Sequence, residues 1–136
     1  MAKTIHELLE IAVQEDASDL HITAYIPPRI RVNGQLRSID HPPLTPAETK
    51  ALLYSLLNDR QKRLFEEKLE IDFSFGIKDL GRFRANIFMQ KGMVAGAIRR
   101  FLPEMWSFAK LGIPQRVAQL CYLPRGLILV TGPTGC

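Results

Sequence analysis

The sequence predicts a mixed α/β (α+β) fold, helices laid on an antiparallel sheet, and three observations point to it. Thr4-Ile5-His6-Glu7 and Thr45-Pro46-Ala47-Glu48 both have the form of a capping box, a hydroxyl N-cap answered three residues later by a glutamate. Asn33-Gly34 separates two short alternating runs, the signature of a two-residue hairpin. Residues 71–75 and 82–87 alternate apolar and polar side chains on either side of a glycine-bearing turn, and Gly92 turns the chain into a third run, 93–101, of a meander.

Taken in order, Ile5, Leu8, Leu9, Ala12 and Val13 form the apolar stripe of a first helix. After Asp16 the period shortens. Leu20 and Ile22 share one face of a strand, with His21 and Thr23 on the other. Pro27-Pro28 ends it, and residues 29–32 and 35–39 flank the Asn33-Gly34 turn. Pro42-Pro43 breaks the chain again before a helix with proline at its first position and Leu52, Leu53, Leu56 and Leu57 on its buried side. Asn58-Asp59 ends this helix and caps the next, whose Leu64, Phe65 and Leu69 continue an apolar face. Ile71, Phe73 and Phe75 mark a strand, residues 76–81 a turn, and Phe83, Ala85, Ile87 and Met89 the inner side of a second strand. Gly92 turns the chain into a third strand, where Ala95-Gly96-Ala97 predicts a close neighbour. Pro103, Gly112, Pro114 and Pro124 then punctuate short helical pieces, one capped by Ser107 and another carrying Val117 and Leu120.

Composition bounds the function. The chain has 136 residues and a formal charge of +4, placed unevenly: residues 1–72 net −3 and residues 73–136 net +7. A basic second half suits a polyanionic partner, whether nucleotide phosphate, nucleic acid or an acidic protein face. No apolar run approaches the ~20 residues of a membrane span, and Met1-Ala2-Lys3-Thr4 leads into a helix rather than a signal peptide, so the cytosol is the expected compartment. Cys121 and Cys136 have neither zinc nor disulfide spacing, and no metal site is expected.

Chemistry concentrates at the end of the chain. Residues 127–131 are an unbroken apolar run, the pattern of a strand buried on both faces of a parallel sheet. It enters Gly132-Pro133-Thr134-Gly135-Cys136, which fits the first five positions of the phosphate loop G-x-x-x-x-G-K-[ST]. Such a loop uses glycines so that backbone N–H groups converge on phosphate oxygens, a helix N-terminus for fixed positive potential, lysine for the β/γ-phosphates and a hydroxyl for Mg²⁺. An ordinary Gly-Pro turn after a hydrophobic strand is the plain alternative.

Several segments then occur together in order: Ala17-Ser18-Asp19-Leu20-His21, Pro27-Pro28-Arg29-Ile30-Arg31-Val32, Phe65-Glu66-Glu67 with Asp72-Phe73-Ser74-Phe75, Arg82-Phe83-Arg84-Ala85-Asn86, and Pro124-Arg125-Gly126-Leu127 running to Val130-Thr131-Gly132-Pro133-Thr134-Gly135. This series resembles the PilT branch of the type II/IV secretion ATPases, over nearly the whole chain. The resemblance implies a PAS-like N-terminal domain at 1–101, a linker with short helices at 102–125, and at 126–136 the first strand and partial phosphate loop of a truncated RecA-like ATPase domain. It implies a cytoplasmic homo-hexamer, peripheral at the inner membrane, that uses Mg-ATP to retract type IV pili in twitching motility. The partner would be an inner-membrane pilus platform protein, with no nucleic acid and no membrane insertion. Without the loop lysine and the downstream catalytic residues, the piece itself is expected to bind no cofactor and to be inactive.

The same resemblance makes Arg82, Arg84 and Arg100 phosphate-contacting arginines. On pattern alone, Arg82 and Arg84 share a strand face away from the core, which fits either phosphate contact or solvated charges that discourage edge pairing. Arg99 beside Arg100 leaves open which of the two points inward. His21 reads as a hydrogen-bonded strand histidine, Glu66, Glu67 and Glu70 as a solvated acidic helix end, and Trp106 and Phe108 as a packing anchor. Two other functions are compatible with parts of the pattern. A self-contained PAS-like sensor or interaction module would end naturally here, and a basic nucleic-acid-binding domain would use the +7 half.

Overall fold

The computed structural model describes residues 2–102 and 105–133, and the chain divides into two compact units, 1–101 and 102–136. The first unit contains α1 (Ile5–Gln14), β1 (Asp19–Ile22), β2 (Arg29–Val32), β3 (Gln35–Ser38), α2 (Pro46–Tyr54), α3 (Asp59–Lys68), β4 (Glu70–Ile77), β5 (Gly81–Gln90) and β6 (Met93–Arg100). The second contains α4 (Gln115–Leu120).

Each helix of the first unit starts where its side chains can satisfy the orphan N–H groups of the first turn. The Thr4 hydroxyl accepts from the Glu7 N–H while the Glu7 carboxylate accepts from the Thr4 N–H. Thr45 and Glu48 repeat this at α2. Asn58 and Gln61 do the same at α3, with the amide oxygen of Gln61 reaching back. Such caps stabilise a helix by about 0.5–2 kcal/mol each. The end of α3 differs from expectation. Leu69 does not continue the apolar face; it is a left-handed C-cap at φ 60° and is exposed.

All six strands form one sheet in the order β3-β2-β1-β6-β5-β4, every neighbouring pair antiparallel. Asn33 and Gly34 both have positive φ, 49° and 79°, as the type I′ turn between β2 and β3 requires. Lys91 and Gly92 repeat the arrangement between β5 and β6. The turn expected to start at Gly76 starts later: β4 runs through Ile77, and Asp79 at φ 65° carries the reversal. The long-range join is β1 on β6, pairing Asp19 with Arg99 and Leu20 with Ile98.

One face of the sheet carries α1, α2 and α3. Leu8 and Leu9 of α1, Leu53 of α2 and Phe65 of α3 meet Leu20, Ile22, Phe83, Ile87 and Ile98 in one core. Full burial of a side chain such as Phe65 or Phe83 contributes about 1.5–3 kcal/mol. The close neighbour expected at Ala95-Gly96-Ala97 is α2, whose Leu53 rests on Gly96. Among the described residues, the opposite face of the sheet carries no helix of this unit; it presents mostly polar side chains, with Leu36, Phe88, Ala95 and Ala97 among them.

In the second unit the Ser107 hydroxyl accepts from the Lys110 N–H, but residues 108–112 form a turn rather than a helix, closed by Gly112 at φ 71°. α4 holds Val117 and Leu120, as expected. Residues 127–130, expected as a strand, pair with no ladder partner among the described residues, and all four side chains are exposed. A strand needs a ladder, and among the described residues of this unit no second strand supplies one. Among the described residues no helix is long and apolar enough to cross a membrane.

Candidate functional site

The uncovered face of the sheet follows from register and alternation. Because β4 pairs Ser74 with Arg84 and Gly76 with Arg82, and β6 pairs Arg99 with Arg84, these side chains emerge on one side. Across β1 and β2 the same side presents Asp19, His21, Arg29 and Arg31. The result is a basic surface crossed by a few carboxylates.

Two of the predicted arginines lie here and one does not. Arg82 extends over Gly76, where the missing side chain leaves room for its guanidinium, and donates a long hydrogen bond of 3.5 Å to the Ser74 hydroxyl. Arg84 donates from Nε and Nη2 to both oxygens of Asp72, at 2.9 and 3.0 Å. This bidentate bond and the guanidinium charge hold the Asp72 carboxyl below its ordinary pKa, and the same contact raises that of Arg84. Arg100 pairs with Phe83 and so belongs to the opposite, helix-bearing side; its guanidinium donates to Asp16 Oδ1 at 3.1 Å. Of the two adjacent arginines it is therefore Arg99 that stands with Arg84.

Arg99 donates from Nε to Asp19 Oδ1 at 3.1 Å. Asp19 is buried, accepts from the Ser18 hydroxyl at 2.7 Å, and lies 3.6 Å from Arg31 Nε. Between Asp19, Asp72, Arg84 and Arg99 lies a depression of about 330 Å³, with Asn86, Ala97 and Phe101 also in its lining. His21, next along β1, has its Nε2 buried without a hydrogen-bond partner, as has Nε of its register neighbour Arg29. Burial, assisted by the charges of Arg31 and Arg99 and opposed by Asp19, pushes the His21 pKa down. Burial there favours the neutral imidazole.

Sequence reasoning missed Asp19 and Asp72 as partners of the arginines. Asp72 was legible in principle, two positions from the residue opposite Arg84, once the true turn length between β4 and β5 is known. Of the phosphate-loop residues, Gly132 and Pro133 are exposed and irregular; Thr134, Gly135 and Cys136 lie outside the described residues. Oriented guanidiniums around a depression make hydrogen-bond donors for an oxyanion with several oxygens.

No protein-family model matches the chain. The type IV pilus retraction ATPase PilT of Pseudomonas aeruginosa is 46% identical over 132 residues, covering 96% of this chain and 38% of that protein. The chain is homologous to the N-terminal region of the PilT-type pilus ATPases. The type IV pilus ATPase PilU of the same organism is 33% identical over 129 residues, 95% of this chain and 34% of that protein. Among solved structures, the pilus retraction motor PilT with bound ADP superposes with a TM-score of 0.82 at 45% identity, across 98% of this chain and 39% of that one. The α/β fold is thus that of the N-terminal part of PilT. The chain spans little more than a third of the length of the curated relatives it matches.

Proposed function

We propose that the chain is the N-terminal part of a hexameric, cytoplasmic motor ATPase that retracts type IV pili and powers twitching motility. The observation that carries this reading is 46% identity, along 96% of the chain, to a pilus retraction ATPase. Residues 1–101 act as a PAS-like N-terminal domain, 102–125 as a linker, and 126–136 as the opening of a RecA-like domain. There Gly132, Pro133, Thr134, Gly135 and Cys136 begin the phosphate loop. Of the three predicted arginines, Arg82 and Arg84 contact nucleotide phosphate; Arg100, on the helix-bearing side with Asp16, does not share their face.

The uncovered sheet face fits the phosphate half of Mg-ATP. It supplies guanidinium donors, and Asp72 holds Arg84 on a solvent-exposed pair that an incoming phosphate can replace at little cost. Asp19 and Asp72 are engaged by arginines, so this face fits phosphate oxygens better than Mg²⁺ itself. Bound Mg-ATP would supply the hydrolytic free energy. This domain's residues would grip the phosphates and change their grip as phosphate leaves, moving one domain against another. The pilus platform protein at the inner membrane would receive that motion, and the motor would sit peripherally there.

Deleting the gene in its own host tests the reading. Loss of pilus retraction, seen as surface-piliated cells that no longer spread by twitching, is expected. Unchanged retraction in the deletion strain would refute it.

A further inference from the structure

Arg84 of β5 and Arg99 of β6 are register partners, two cations directly opposite one another on a sheet. Like charges in that relation repel and destabilise the pairing. Each guanidinium is held by a different carboxylate, Asp19 also lying 3.6 Å from Arg31 Nε, and the two holds differ in kind. Asp72 is 46% exposed and takes Arg84 through both Nε and Nη2. Asp19 is 8% exposed, fixed by the Ser18 hydroxyl, and takes Arg99 through Nε. An exposed pair exchanges partners cheaply, whereas a buried carboxylate stripped of its cations carries a large desolvation penalty. Arg84 is thus free to trade Asp72 for a ligand, while Arg99, 56% exposed, is kept in place by a bond that uses only its Nε.

We infer that Arg99 is a further phosphate-contacting residue of this site, and that Asp19 is the positioning residue that fixes it beside Arg84. The inference rests on the phosphate-binding reading of this face and deepens it. The ligand class is an oligophosphate: two forks on adjacent strands, about 5 Å apart at their bases, reach oxygens of more than one phosphoryl group. Ala97 and Asn86, the next register pair on the same face, line the depression together with Arg84 and Arg99.

Titration of the intact chain with inorganic tripolyphosphate, followed by the arginine Nε–Hε NMR signals, tests this. The Arg84 and Arg99 signals should both move with one saturation curve, and Arg99→Gln should weaken binding about tenfold, the loss of a charged hydrogen bond. Asp19→Asn separates positioning from charge. Removing a negative charge should by itself tighten an anion, yet a positioning role requires weaker binding. Asp19→Glu, which keeps the charge and displaces it, should weaken binding too and serves if the asparagine variant does not fold. An Arg99 signal that stays still while that of Arg84 moves, or tighter binding in Asp19→Asn, overturns the inference and leaves the site reading intact. Wild-type affinity in Arg82→Ala and Arg84→Ala as well, or no saturable binding in the millimolar range, overturns both.

Discussion

Gly96 of β6 lies directly against Leu53 of α2: a Cβ added at Gly96 would stand 2.6 Å from Leu53 Cδ2 and 3.0 Å from Cδ1. Leu53 is fully buried and cannot retreat into solvent. Gly96→Ala should therefore cost about 1–3 kcal/mol of stability, the usual penalty of overpacking. Leu53→Ala alone should cost about 2–5 kcal/mol, and the double variant less than the two together, because the new methyl fills the space vacated. Urea denaturation of the four proteins checks it, and strict additivity would show that the contact is not the cause.

Local features of this fold were readable because local chemistry decides them. The boxes at Thr4 and Thr45, the cap at Asn58 and the Asn33-Gly34 turn are short-range hydrogen bonding and backbone sterics. Ala95-Gly96-Ala97 announced a close approach but not its partner, since only the folded layer brings α2 there. The β1–β6 ladder joins residues about eighty positions apart, and no local signal encodes it. Of the site, the shared face of Arg82 and Arg84 follows from alternation. The small residues before Arg99 blurred the same alternation on β6, which is why its facing and that of Arg100 had to come from the ladder. Residues 127–130 carry the apolar code of a buried strand but find no ladder partner among the described residues.

Leu69 occupies a left-handed position, φ 60°, with 54% of its surface exposed. A side chain there costs roughly 1–2 kcal/mol, part of which glycine returns through its larger unfolded-state freedom. Leu69→Gly should raise stability by about 0.5–1 kcal/mol. A fall in the thermal midpoint would mean that the exposed leucine contributes more packing than strain.

His21 gives stability a pH dependence of defined sign. Its folded-state pKa lies below the ordinary 6.5, chiefly through burial, so on acidification the unfolded chain takes up the proton first. The contribution is complete above about pH 6.5 and is lost as pH falls through the folded value. His21→Gln should flatten this slope between neutral pH and the carboxylate range. The lowered pKa values of Glu7, Glu48 and Asp72 act separately, at more acid pH, below their ordinary 4.5, 4.5 and 3.8. Stability that rises from pH 7 towards 5 in the parent chain would contradict the placement of His21.

Arg84→Ala should separate folding from function. The Arg84–Asp72 pair is solvent-exposed, so its removal should leave the melting temperature nearly unchanged. In the protein carried past Cys136 along its reading frame, the same change should lower ATP turnover by about 10³-fold or more, as loss of a phosphate-bound arginine does. A large drop in melting temperature with turnover intact would reverse the assignment.

ATP hydrolysis by the protein extended along its natural reading frame is the most direct test of the motor assignment. A phosphate loop opened by Gly132 requires Gly-Lys-Ser/Thr immediately after Cys136, and the extended protein should hydrolyse ATP only with Mg²⁺ present. A frame without lysine two places beyond Cys136, or an extended, folded protein with no ATP turnover, would contradict it.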